Sequence, residues 1–142
     1  MRGVTLLETL LIVAAIAILA GIAFPVSQIF QTRNDLDVAA TNTIQTLRRA
    51  QVLSQGVSSD SQWGVKAQSG QLTLFKGSSY ASRDIASDEL FDSAPSIIPS
   101  SLTEVVFQKL TGIPTATGTL LLTSSTNETR TILINSKGSI GY

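Results

Sequence analysis

The sequence predicts an α+β chain: one long N-terminal helix, then an antiparallel β-sheet domain packed on the C-terminal half of that helix. Three observations carry that reading. A run of 21 residues, 4–24, is mostly apolar and carries no charge but Glu8. Beyond Pro25, apolar residues recur at helical spacing as far as Gly56. From Trp63 onward, short β-rich runs are separated by Gly, Pro and Asn turn signals.

At about 1.5 Å per residue, residues 4–24 make a helix of roughly 32 Å, enough to cross the hydrocarbon core of a bilayer. Glu8 lies inside that run. A carboxylate in an apolar span costs roughly 2.5–3.5 kcal/mol, less near the interface, and so calls for a counter-charge. The next basic residue along the chain is Arg33, far beyond reach on the same helix. Two simpler accounts of the run are a cleaved secretory signal peptide and a plain uncleaved anchor with Glu8 at the interface. The length of the run, Glu8 itself and the want of a small-x-small site before a polar start weigh against the signal peptide. Ala14, Ala17, Ala20 and Gly21 set small residues among Ile and Leu, and Ala17 with Gly21 has the spacing that lets membrane helices approach closely. An ordinary Ala-rich anchor has the same composition. Pro25 removes the hydrogen bond to the Gly21 carbonyl and crowds it, so a kink or local melting is expected there.

Residues 25–55 read as an amphipathic continuation of the helix. Ile29, Leu36, Ala40, Ile44, Leu47 and Leu53 share one stripe, with Arg33, Asp37, Gln45 and Arg48 mostly elsewhere. Gly56 is a natural stop, free to take the left-handed conformation after the last turn. A helix from about Val4 to about Ser54 is roughly 75 Å long, so its N-terminal half is expected to project from so small a domain. Arg48 and Arg49 are expected to face solvent or pair, rather than to bind a ligand.

Residues 56–142 are expected to form the β-rich domain. Runs 63–67 and 72–76 flank Gln68-Ser69-Gly70-Gln71, a hairpin with Gly70 in its turn. Further strands are expected over 102–110, 119–123, 130–134 and 139–142. The imperfect alternation around Leu120, Leu121 and Leu122 suggests a strand covered on both faces. Asn135-Ser136-Lys137-Gly138 reads as the last hairpin turn, since Gly138 and Asn135 can take positive φ. Residues 77–101, rich in Ser, Asp and Pro, read as an irregular solvated loop. Asp84, Asp88, Glu89 and Asp92 could gather a calcium ion, but their spacing matches no EF-hand-type loop, so the solvated acidic loop is preferred and no metal is assigned to them.

Composition narrows the function classes. The chain of 142 residues carries ten basic and ten acidic residues, and after Gly56 six basic face seven acidic ones. That balance gives no electrostatic footprint for nucleic acid. There is no Cys and no His. The commonest general base, metal ligand and thiol nucleophile are therefore missing, which argues against an enzyme and against a cofactor. Asn127-Glu128-Thr129 fits an N-glycosylation acceptor, a pattern common by chance.

Gly3 followed by Val4-Thr5-Leu6-Leu7-Glu8 resembles the processing site of type IV pilins and type II secretion pseudopilins. The resemblance implies a leader of residues 1–3, cut by a prepilin peptidase between Gly3 and Val4, and a mature N-terminus methylated at Val4. It implies a membrane-spanning and filament-core segment, 4–24, with Glu8 docking on the N-terminal amine of a neighbouring subunit. It implies a helix kink at Gly21 and Pro25. The physical chemistry agrees: cleavage makes an α-amine with an ordinary pKa near 8, a cation beside the one carboxylate of the run. The helix, the Trp63-Gly64-Val65 strand and the late hairpins ending at Gly138 look similar to the pseudopilin H class and the FimT-type minor pilins.

The same resemblance implies a pilin-like fold and a structural subunit, minor rather than major, of a pilus or secretion filament. Its partners would be other pilin or pseudopilin subunits, the prepilin peptidase and an inner-membrane assembly platform. It would sit as a single-pass protein of the inner membrane, with its C-terminal domain outside the cytoplasm, before joining an extracytoplasmic filament. The alternatives are a DNA-catching minor pilin of an uptake pilus, or a major pilin. For DNA the region after Val105 offers only Lys109, Arg130 and Lys137 against Glu128, a weak patch for phosphate-driven affinity.

Overall fold

A computed structural model describes residues 4–142, apart from the side chains of residues 22–27. The fold is α+β, with a long N-terminal helix and antiparallel sheets. Helix α1 runs Leu6–Gln55, within two residues of the expected ends. It is followed by a short 3-10 turn, Ser58–Asp60, and eight strands. The chain divides into two units, Met1–Gln31 and Thr32–Tyr142.

In the first unit every described side chain of α1 over residues 6–21 is exposed. Ile29, a member of the expected stripe, is not buried but 46% exposed. It belongs to this unit, whereas the buried stripe begins at Leu36 in the second. The kink or local melting expected at Gly21 and Pro25 falls within α1, which runs Leu6–Gln55 as one helix; the side chains of residues 22–27 lie outside the description. Gly21 itself has open space where a Cβ would stand.

In the second unit α1 buries Leu36, Ala39, Ala40, Ile44, Leu47 and Ala50, the stripe set by the 3.6-residue repeat. Two four-stranded sheets cover that stripe. The first has the order β3-β2-β1-β5, built from β1 Trp63–Gln68, β2 Gln71–Lys76, β3 Asp84–Asp92 and β5 Glu104–Phe107. The second has the order β4-β6-β7-β8, from β4 Ile98–Ser101, β6 Gly118–Thr123, β7 Thr129–Ile134 and β8 Ile140–Gly141. All pairings are antiparallel. Both sheets and the helix stripe contribute to one core, in which Val65, Leu74, Phe107, Leu120 and Ile132 meet Leu36 and Leu47.

The β1–β2 hairpin forms as expected, with Gln68 paired to Gln71 and Gly70 at φ 78 in the two-residue turn. Gly64 has a different reason to be glycine. A Cβ there would stand 2.6 Å from the Phe75 ring and 2.9 Å from the Val105 carbonyl oxygen. Phe75 and Val106 lie on the outward side of this sheet, which the loop before β3 covers. In that loop Tyr80 meets Phe75 edge-on at 5.6 Å, and the Arg83 guanidinium stacks 3.8 Å from the Tyr80 ring.

The structure corrects several expectations. Residues 77–101 are not one irregular loop, because they contain β3 and β4. β3 shows no apolar alternation and is held by its pairing with β2, from Gln71 with Asp92 to Lys76 with Asp84 across a bulge. Three of its four carboxylates separate into ion pairs, Asp84 with Lys76, Asp88 with Arg83 and Glu89 with Arg49. The strand expected over 102–110 is only β5, because Leu110 turns at φ 72. β6 is covered on one face: Leu120 and Leu122 are buried, whereas Thr119 is exposed and Leu121 half-buried. Gly56 does not take the left-handed conformation. Its N–H still donates to the Val52 carbonyl at 2.8 Å, so the helical pattern runs one residue further and Val57 turns at φ 53. In the last hairpin Gly138 takes φ 81, but Asn135 does not take positive φ. The Asn135 side chain instead accepts from the N–H groups of Lys137 and Ser139, each at 2.9 Å.

Candidate functional site at the start of the helix

The first turn of α1 is built by Thr5. Its carbonyl accepts from the N–H groups of Glu8 at 3.0 Å and Thr9 at 3.2 Å, and its Oγ1 accepts from Glu8 N–H at 3.3 Å. Thr5 is therefore the N-cap, with Glu8 at the third helical position. Sequence reasoning missed this, although Thr-x-x-Glu is the capping-box pattern and was legible in the residues. Only the Thr5 half of the box is formed: among the described residues nothing bonds the Glu8 carboxylate. Thr9 Oγ1 donates to the Leu6 carbonyl at 2.8 Å, so both hydroxyls of this turn are satisfied locally.

Glu8 thus stands at the positive end of the helix dipole, worth about 0.3–1 kcal/mol to a carboxylate at an exposed terminus. That interaction fixes the sign of the charge tolerated there but supplies no counter-ion. Among the described residues Glu8 has no ion pair, whereas seven of the chain's other carboxylates do. Val4 precedes the cap and is exposed. Gly3, on which processing is expected, lies outside the described residues. The structure therefore brings Val4, Thr5 and Glu8 to one helix end, while Gly21 stands far along the same helix and Pro25 lies outside the described side chains.

Around this turn Leu6, Leu7, Leu10, Leu11, Val13, Ile16, Ile18 and Leu19 are all more than half exposed. A helix apolar on every side is stable when something apolar surrounds it. Residues 6–21 span roughly 24 Å at the helical rise. Among the described residues no helix is long and apolar enough to cross a membrane. The apolar run of the sequence continues to Phe24, among residues whose side chains lie outside the description.

The basic residues of the second unit are largely engaged. Arg48 donates to the Ile140 carbonyl at 3.2 Å and Arg49 to Glu89 at 2.8 Å. Of the three cations after Val105, Lys109 pairs with Asp60 and Arg130 with Asp37. No family model, no curated protein and no solved structure matches the chain.

Proposed function

We propose that this chain is a structural subunit, pilin-like in fold, of a type IV pilus or type II secretion filament. A prepilin peptidase cuts after Gly3, and the new N-terminus at Val4 is methylated. The chain resides in the inner membrane as a single-pass protein until an assembly platform passes it into the filament. One observation carries the reading: a helix end exposed and apolar on every side, whose first turn holds a carboxylate with no counter-charge among the described residues. In a bilayer such a carboxylate is costly, and a neighbour's α-amine in a polymer neutralises it. The α+β domain beyond the helix suits a subunit that carries its own folded head. The paired state of Lys109 and Arg130 favours a structural role over DNA capture.

Thr5 gives Glu8 a competing, purely local role as a capping residue, and two substitutions separate the roles. Glu8→Gln keeps a side chain suited to a capping box and removes the charge; Glu8→Ala removes both. Docking by charge predicts that both variants insert and are processed, yet both are depleted from sheared filaments at least about tenfold, the equivalent of ~1.4 kcal/mol. Wild-type incorporation of Glu8→Gln would reduce Glu8 to a helix cap and remove the docking role.

A further inference from the structure

The charges of the unit Thr32–Tyr142 neutralise one another almost completely through seven ion pairs. Four side-chain charges of that unit take no ion-pair partner among the described residues: the carboxylates of Asp35 and Asp92, and the cations Arg48 and Lys137. They are sorted by sign and by place. Asp35 and Asp92 line one trough of about 160 Å³ beside α1. Through Asn42 and Asp92 it continues into a larger trough of about 400 Å³ between α1 and β3, the outermost strand of its sheet. Arg49 also lines the larger trough, but Glu89 holds it at 2.8 Å, so the two troughs together keep a negative balance.

The cations stand on the other flank of α1. Arg48 lines a separate groove of about 240 Å³ with Tyr142, which is 71% exposed. Lys137 is exposed in the turn between β7 and β8, next to Gly138, whose carbonyl accepts from Gln51 at 3.0 Å. On α1, Asp35 and Arg48 differ by about 20 Å in height and roughly 140° in direction. Each patch also has what a docking surface needs besides charge. The β3 edge presents unpaired backbone groups and Leu90, 59% exposed; the β8 flank presents the Tyr142 ring.

We propose that the β8 flank of one chain docks into the β3-side trough of a second copy of the same chain. Arg48 and Lys137 meet Asp35 and Asp92, and Tyr142 enters the trough. The two patches lie on opposite flanks and at different heights, so one contact leaves one patch of each chain free for the next copy. That is a heterologous, head-to-tail contact, which repeats as an open helix. The inference rests on the filament reading and deepens it, by naming the surfaces through which the globular units meet.

The chain has no cysteine, so single introduced thiols report contacts cleanly. Full-length chains carrying Ser93→Cys or Ser136→Cys, which leave all four charges in place, are produced together in one membrane and oxidised. A third chain carrying Val13→Cys reports association of the apolar helices independently. The proposal expects a Ser93–Ser136 mixed dimer that neither variant forms alone. It expects Asp92→Lys in the first chain to lower the yield at least about fivefold, and Lys137→Asp in the second to restore it. Val13→Cys dimers without the mixed dimer overturn the docking surfaces and leave the filament standing. Loss of both kinds of dimer overturns the filament reading and the proposal together. Ser93→Cys dimers formed alone mean a two-fold contact, and adducts with a chain of another mass mean a foreign partner; each overturns the head-to-tail assignment.

Discussion

Ser54 joins the end of α1 to the start of β1, and its removal tests how the two parts are held. Its side chain is fully buried, and its Oγ accepts from Trp63 N–H at 2.9 Å. Its carbonyl accepts from Val57 N–H at 3.2 Å and Leu110 N–H at 3.0 Å, so three loops converge on one residue. Ser54→Ala leaves the carbonyl bonds in place and strands the buried Trp63 N–H. The cost of such an unsatisfied donor is about 1–3 kcal/mol. For a unit of this size that corresponds to a fall in Tm of roughly 4–15 °C. The fall is measured by thermal unfolding of the full chain in detergent, followed by near-ultraviolet circular dichroism and by Trp63 fluorescence. Ser58→Ala is the control, since Ser58 serves Trp63 Nε1 with its backbone carbonyl alone, and it should stay within about 0.5 kcal/mol of wild type. A Ser54→Ala protein as stable as the Ser58→Ala control would show that the Trp63 N–H is satisfied by another route, and the reasoning would fail.

Two other outcomes are expected of the chain. Gly64→Ala places a methyl group against Phe75, Val105 and Val106 in a filled layer, and is expected to cost about 1–3 kcal/mol in denaturant unfolding; Gly21→Ala, inside α1 with open space around it, should not destabilise and is expected to add about 0.5–1 kcal/mol of helix stability. The hydrogen bond and charge of Lys109 hold the Asp60 carboxyl below its ordinary value of 3.8, and the Ser87 hydroxyl, with the Ala86 N–H and Lys76, does the same for Asp84. A depressed folded-state value means that the stabilisation is complete above the ordinary value and is lost as pH falls through the depressed one. The denaturant midpoint should therefore fall as pH drops below about 4, and fall less in a Lys109→Met chain. An acid profile unchanged by Lys109→Met would exclude that pair as a contributor.

The helix and the β1–β2 hairpin were legible because their signals are local: a 3.6-residue stripe ending near Gly56, and a two-residue turn with glycine at its second position. β6 and β7 were legible for the same reason. β3 and β4 were not, because a strand exposed along most of its length has no alternation to read, and its existence depends on β2 lying beside it. The pairs Arg33–Glu128 and Asp37–Arg130 tie α1 to residues more than 90 positions away, a distance no window of sequence spans. Gly56 misled because glycine marks a stop without fixing which residue takes the left-handed turn; the helical bond to Val52 passed that conformation to Val57. At the candidate site the charge of Glu8 and the apolar run stood in the sequence plainly. The capping role of Thr5 stood there too, in the Thr-x-x-Glu spacing of Thr5 and Glu8.

The most direct test of the central claim is the mass of the mature N-terminus in protein taken from its native membrane, by intact-mass and terminal-peptide mass spectrometry. The account predicts a chain that begins at Val4 and carries one added methyl group. A chain that still begins at Met1, or one cut near Phe24, would contradict it, leaving a simple anchor or an exported domain in place of a filament subunit.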